Sequence, residues 1–148
     1  MQLESQTKGI IGNVSITKTN IAGDILEKIY IPNLVVSLGK TFIASRMVGT
    51  VANIMSHMAL GSSSTGAVAG DATLGTELGR AVLTSATSAN NIVTYTATFA
   101  AGVGTGSIQE AGIFNASSGG TLLCRTTFPV VSKQASDVIA VSWTITVN

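Results

Sequence analysis

Val141-Ser142-Trp143-Thr144-Ile145-Thr146-Val147-Asn148 alternates one apolar with one polar residue to the end of the chain, and a period of two is that of a half-buried β-strand. One face of such a strand is core and the other is lined with Thr. The same period runs through Val93-Thr94-Tyr95-Thr96-Ala97-Thr98-Phe99. Parallel strands covered on both faces read as continuous apolar runs, so this alternation predicts antiparallel pairing. Working outward, further strands are expected at Asn13 to Thr17, Asp24 to Ile31, Met55 to Gly61, Gly79 to Ser85, Ile108 to Phe114 and Thr121 to Phe128. Turn chemistry separates them at Thr19 to Gly23, Ser117 to Gly120 and Ser132 to Asp137. The pattern predicts a mainly β chain, an antiparallel and jelly-roll-like β-sandwich, with one short α-helix near residues 37–48.

That helix follows Pro32, with Asn33 or Ser37 as the expected cap and a start at Leu34 or Ser37. Leu38, Phe42, Ile43, Arg46 and Met47 fall at helical spacings, so Leu38, Phe42 and Met47 are expected to pack on the sheet. Gly39 weakens the helix and Gly49 ends it. A second helical turn is expected at Thr73 to Leu78. No fixed-period repeat or heptad pattern divides the chain, so residues 1–9 read as a polar amino-terminal arm and residues 10–148 as one domain.

The chain has 148 residues, of which only 10% are charged, with 16 Gly and a net charge of +1. Soluble proteins average about 25% charged residues, so Ser, Thr, Asn and Gly take the place of charge on this surface. Nothing in that balance draws the protein to phosphate backbones or anionic lipid. Ala81 to Gln109 carries no charge, yet Ser, Thr, Asn and Gly interrupt it throughout, so it reads as strands and turns rather than a membrane span. The segment MQLESQTKG lacks the basic and apolar regions of a signal peptide. The reading therefore expects neither nucleic acid nor membrane as a partner.

Chemistry is sparse. The single histidine, His57, lies in the strand-like Met55-Ser56-His57-Met58-Ala59-Leu60, away from any Gly-x-Ser-x-Gly elbow, and reads as structural. The single cysteine, Cys124, lies between Leu123 and Arg125 near Leu122 and Phe128 and reads as a small core residue. One cysteine and one histidine give no internal disulfide and no Cys/His zinc site. Gly102-Val103-Gly104-Thr105-Gly106 superficially resembles a nucleotide loop, but the strand-like Ser107 to Phe114 follows where a phosphate-binding loop needs a helix. No cofactor is expected, and no catalytic set.

Few charges make the placed ones informative. Glu110, Arg80 and Arg125 interrupt apolar strand segments, where an unpaired charge is costly, so Glu110 is expected to bridge to one or both arginines. Tyr95, Phe99, Phe128 and Trp143 occupy the apolar faces of their strands and are expected to share the core.

An ordered set of short pieces carries a resemblance. They are Pro32-Asn33-Leu34-Val35-Val36 with Gly39-Lys40, His57-Met58-Ala59-Leu60-Gly61, Thr73 to Arg80, Val93 to Phe99, Glu110-Ala111-Gly112-Ile113-Phe114-Asn115, Gly119 to Arg125 and Trp143 to Val147. This order, over about residues 30–148, resembles small virion proteins of tailed bacteriophages, both capsid decoration (cement) proteins and tail-collar or tail-fibre attachment modules. The resemblance implies a non-enzymatic structural protein of the virion, assembled in the bacterial host cytoplasm. It also implies a homo-oligomer whose partners are other virion proteins, the major capsid protein first and tail proteins as the alternative. The arm from Met1 to Gly9 and the Thr-rich faces are the expected contacts.

Overall fold

A computed structural model describes residues 9–50 and 52–148. The strands in chain order are β1 (Ile10–Thr19), β2 (Ile25–Val35), β3 (His57–Gly61), β4 (Glu77–Val82), β5 (Ser85–Ala89), β6 (Ile92–Phe99), β7 (Gly106–Phe114), β8 (Leu122–Lys133) and β9 (Val138–Val147). The helix α1 (Ser37–Met47) lies between β2 and β3. The expected arm, Met1 to Gly9, lies outside the described residues apart from Gly9, whose carbonyl accepts from the Asn148 N–H.

Alternation places the strands as read. In β9, Val141, Trp143 and Ile145 are buried and Ser142 is exposed, and β1 inserts Val14 and Ile16 beside them. The neighbours form one hydrogen-bonded sheet in the order β4-β3-β7-β8-β2-β1-β9-β6-β5, and every pair is antiparallel. The sequence led to a two-layer sandwich, whereas the hydrogen bonding is continuous. The two edge strands, β4 and β5, follow one another in the chain with only Leu83 and Thr84 between them. Three Cα steps from Val82 to Ser85 reach at most about 11 Å, so the edges must approach and the sheet curls into a half-barrel. The pairing is shortest at β2, which meets β8 only through Leu34 and Val35. Such an open side also tolerates Pro32, which lacks an N–H, within the strand.

The main core fills the inside of the curl. Trp143, Phe99, Met58, Leu60, Ile108, Ile113 and Ile139 are fully buried in one cluster, joined by Phe128. Tyr95 is only half-buried and packs against this cluster from its margin. A second cluster of Val36, Ala59, Leu74, Phe114 and Leu122 lies on the opposite face of β3, β7 and β8, so these strands are covered on both sides.

The helix differs from its expected face. Gly39 is buried, Phe42 and Ile43 pack against the main core, while Leu38 is 44% and Met47 85% exposed. A Cβ on Gly39 would overlap the Leu123 carbonyl, so the residue that weakens the helix also lets its backbone lie against β8. The start differs too. Val36 occupies the cap position without a side-chain hydrogen bond, and the Ser37 N–H donates to the Ala69 carbonyl at 2.8 Å. Gly49, at φ +69°, ends the helix as read.

Candidate interaction surface

The loop of residues 62–76 joins β3 to β4 and crosses the outer face of the sheet. Glu110, fully buried on β7, holds it. Its Oε1 accepts from the Thr76 N–H at 2.7 Å and the Ser63 N–H at 3.2 Å. Its Oε2 accepts from the Gly75 N–H at 2.8 Å and from Arg125 Nε at 3.0 Å, with Arg125 Nη2 at 2.9 Å. Arg125, on β8, extends the network to Asp71 Oδ2 at 2.9 Å and to the Thr65 carbonyl at 2.8 Å. Asp71 in turn accepts from the Val68 N–H. A buried carboxylate is thus matched by a guanidinium and three backbone donors, which offsets its desolvation. The same contacts overturn the helical turn expected at Thr73 to Leu78. The Gly75 and Thr76 N–H groups point at Glu110 instead of forming a helical turn, and β4 begins at Glu77.

Of the two expected arginine partners, Arg125 takes Glu110 and Arg80 does not. Arg80 pairs with Glu77, and its guanidinium lies 3.9 Å from the Phe114 ring centroid. Its Nη1 also donates to the carbonyls of Ala116 and Gly119, at 2.9 Å each, so it ties the β7–β8 turn to β4. The registers Arg80↔Ala59 and Gly61↔Glu110 show why: the two side chains sit in different rows with β3 between them. Asp71, which the sequence marks with Glu77 and Glu110 as scattered carboxylates expected to form ion pairs, finds its partner in Arg125, a pairing the sequence does not single out.

The groups with potential for chemistry are occupied with structure. Burial pushes the Cys124 thiol far above its ordinary range, so it stays protonated and un-nucleophilic at neutral pH. Burial likewise raises the Tyr95 phenol to about 12. His57 is half-buried, with Nδ1 2.8 Å from Ser56 Oγ. Lys133 is buried, its Nζ donating to the Ala100 and Asp137 carbonyls, and desolvation lowers its pKa against the opposing pull of Asp137. Among the described residues no group of three His, Cys, Asp or Glu side chains could hold a metal ion, and no helix is long and apolar enough to cross a membrane.

What remains is a surface. On the outer face of β5-β6-β9-β1-β2 the registers place Ser85, Thr96, Ser142, Ser15 and Tyr30 side by side across five strands. The adjacent row is Thr87, Thr94, Thr144, Asn13 and Pro32. No member of either row is charged. Ser85 and Thr96 hydroxyls bond one another at 2.7 Å. The side-chain polar atoms of Asn13, Ser15, Tyr30 and Ser142 have no hydrogen-bond partner among the described residues, and they line a hollow of about 430 Å3. No protein-family model, no curated protein and no solved structure matches this chain.

Proposed function

We propose that this protein is a non-enzymatic structural component of a bacteriophage virion, a capsid decoration (cement) protein that binds across neighbouring capsid subunits. The observation that carries this reading is the exposed, hydroxyl-lined outer face of β5-β6-β9-β1-β2, on which two adjoining rows, Ser85 to Tyr30 and Thr87 to Pro32, carry no charge and Lys28 stands beside them. Exposed surfaces of soluble domains normally intersperse charges of both signs; a neutral, hydrogen-bonding face suits repeated contact with other protein. The protonated Cys124 and the structurally engaged His57 agree with a role without catalysis.

In this role the halves of the curled sheet pack across the core in the manner of a jelly-roll-like sandwich, leaving the outer faces and the arm Met1 to Gly9 for attachment. Each contact can be modest, because repetition over a shell multiplies modest affinities where each copy spans two subunits. A homo-oligomer and a virion location follow from the same reading. The sequence resemblance extends equally to tail-collar and tail-fibre adaptors, which makes the tail the alternative site.

Immunogold or cryo-electron imaging of purified particles tests the reading. Density on the shell is expected; density confined to the tail selects the adaptor, and particles without the protein overturn the virion role. Occupancy should change little between about 0.05 and 0.5 M salt, since screening weakens exposed charge pairs most. Removing Met1 to Gly9 should lower occupancy while the domain stays folded; full occupancy would reject the arm.

A further inference from the structure

We propose that residues 2–8 of one copy of the chain add as an antiparallel strand to the free edge of β2 in a second copy. The inference rests on the homo-oligomer named in the proposed role and not on the virion. β2 is paired with β1 along its length but reaches β8 only at Leu34 and Val35. Successive residues of a strand aim their backbone groups at opposite edges. The Val36 N–H donates to the Leu123 carbonyl and the Pro32 carbonyl accepts from Thr126 Oγ1 at 2.7 Å, so the even-numbered residues face the β8 side. The N–H and C=O groups of Lys28 and Tyr30 therefore point out of the sheet edge, and no backbone group among the described residues pairs with them there. Such an edge is a template for another strand. The facing part of β8 is not, because Phe128, Pro129 and Val130 bulge opposite Gln109 and Pro129 has no N–H to give.

The side chains of this edge select the occupant. Lys28 pairs with no carboxylate among the described residues, and its Nζ lies over the exposed Tyr30 ring, 5.5 Å from the centroid. On the inner face Ile29 and Ile31 are only partly buried. Residues 1–8 lie outside the described residues, and their sequence has the period of a strand, with Leu3, Ser5 and Thr7 alternating with Gln2, Glu4, Gln6 and Lys8. Opposed residues of an antiparallel pair share a face, so few registers are acceptable. Glu4 opposite Lys28 puts Leu3 beside Ile29 on the inner face and Gln2 beside Tyr30 on the outer. It also brings Lys8 to the level of Asp24, which has no ion-pair partner among the described residues. Sliding the arm two residues toward the start of β2 sets Leu3 on Glu27, the opposite slide parts Glu4 from Lys28, and a slide of one residue turns Glu4 inward. A parallel strand with Glu4 at Lys28 again sets Leu3 on Glu27. The same register identifies the donor. Gly12 is level with Asn33, nine residues from Asp24, which is about 30 Å at about 3.3 Å per residue, and Gly9 lies farther still. Lys8 is bonded to Gly9, so a chain cannot bring its own Lys8 to its own Asp24, and a second copy supplies the strand.

The test is sedimentation velocity of the purified full chain, with no particles present, so the fate of the virion role does not enter the result. The parent should self-associate with a Kd below about 0.1 mM. Glu4→Lys and Lys28→Glu should each weaken association by about tenfold or more, because an attraction becomes a repulsion, and the variant carrying both changes should return to within about threefold of the parent. Lys28 is exposed, and an unchanged circular dichroism spectrum checks that each variant is folded. A cross-link reads the register directly: a Leu3→Cys variant mixed with an Ile29→Cys variant and oxidised should give a disulfide between the two chains at those positions, since Cys124 is buried. The inference is overturned if the parent is monomeric at about 1 mM, if either single reversal associates like the parent, if the double variant stays as weak as the single ones, or if the mixed cysteine variants do not join.

Discussion

At the scale of single residues, Glu110 shows how a rarely used charge organises a fold. Its carboxylate gathers Ser63, Gly75, Thr76 and Arg125 around one buried point, so changing it to Gln removes the fully buried one of the two carboxylates paired with Arg125 and leaves the guanidinium with Asp71 alone. Glu110→Gln should destabilise the protein by about 3–5 kcal/mol, the range for breaking a buried pair from one side, read from the urea midpoint. In the same variant the Ser63, Gly75 and Thr76 amides should exchange hydrogen faster than the core of β9; unchanged protection would mean that the loop is held by something else. Asp71 is partly exposed, so Asp71→Asn should cost no more than about 1 kcal/mol. Trp143 is fully buried, and Trp143→Ala should cost about 3–5 kcal/mol for the lost burial and the void. A midpoint unchanged by that substitution would contradict the register of β9. The involvement of Glu110 and Arg125 was legible because a charge inside an apolar strand demands a partner. The choice of Arg125 as the partner of Asp71 was not, because the position of Asp71 depends on the path of an aperiodic loop.

At the scale of elements, periodicity decided what could be read. β6 and β9 alternate over a covered face and an open one, and both were legible. β5, Ser85-Ala86-Thr87-Ser88-Ala89, is exposed at every position, so no residue contrast marks it, and only its register with β6 makes it a strand. The helix was legible in its extent but not in its orientation. Apolar spacing favoured Leu38 and Met47, whereas close backbone approach to β8 selects the face carrying Gly39, Phe42 and Ile43. This preference yields a sharp expectation: Gly39→Ala, which raises intrinsic helix propensity by about 1 kcal/mol, should nonetheless destabilise the protein, because its methyl group meets the Leu123 carbonyl. The net loss should be about 1–3 kcal/mol, as for overpacking. A stabilised Gly39→Ala variant would show that helix and strand are not in contact there.

At the scale of the whole molecule, the curl was not legible, because it arises from strand order and from the two-residue link between the edge strands, neither of which leaves a periodic mark. The same curl encloses titratable groups, and their shifts set the alkaline behaviour of the whole fold. Cys124 ordinarily ionises near 9.0 and Tyr95 near 10.0, and burial raises both in the folded state, Tyr95 to about 12. The stability linked to each is fully present below its ordinary pKa and is lost as pH rises, because the unfolded chain releases the proton first. Lys133 acts in the opposite sense. Its folded pKa is lowered from 10.5, so the unfolded chain holds the extra proton and stability rises with pH until 10.5 is passed. Just below pH 9, before the thiol and the phenol ionise, the lysine's slope is upward, so the urea midpoint there should stay level or rise slightly. Above pH 10 the thiol and the phenol together oppose one amine, and the midpoint should fall toward pH 12. Tyr95→Phe should remove the part of the fall that begins near pH 10, and Cys124→Ala the part that begins near pH 9. If both variants reproduced the parent's alkaline profile, these two side chains would not be the groups whose ionisation the fold resists.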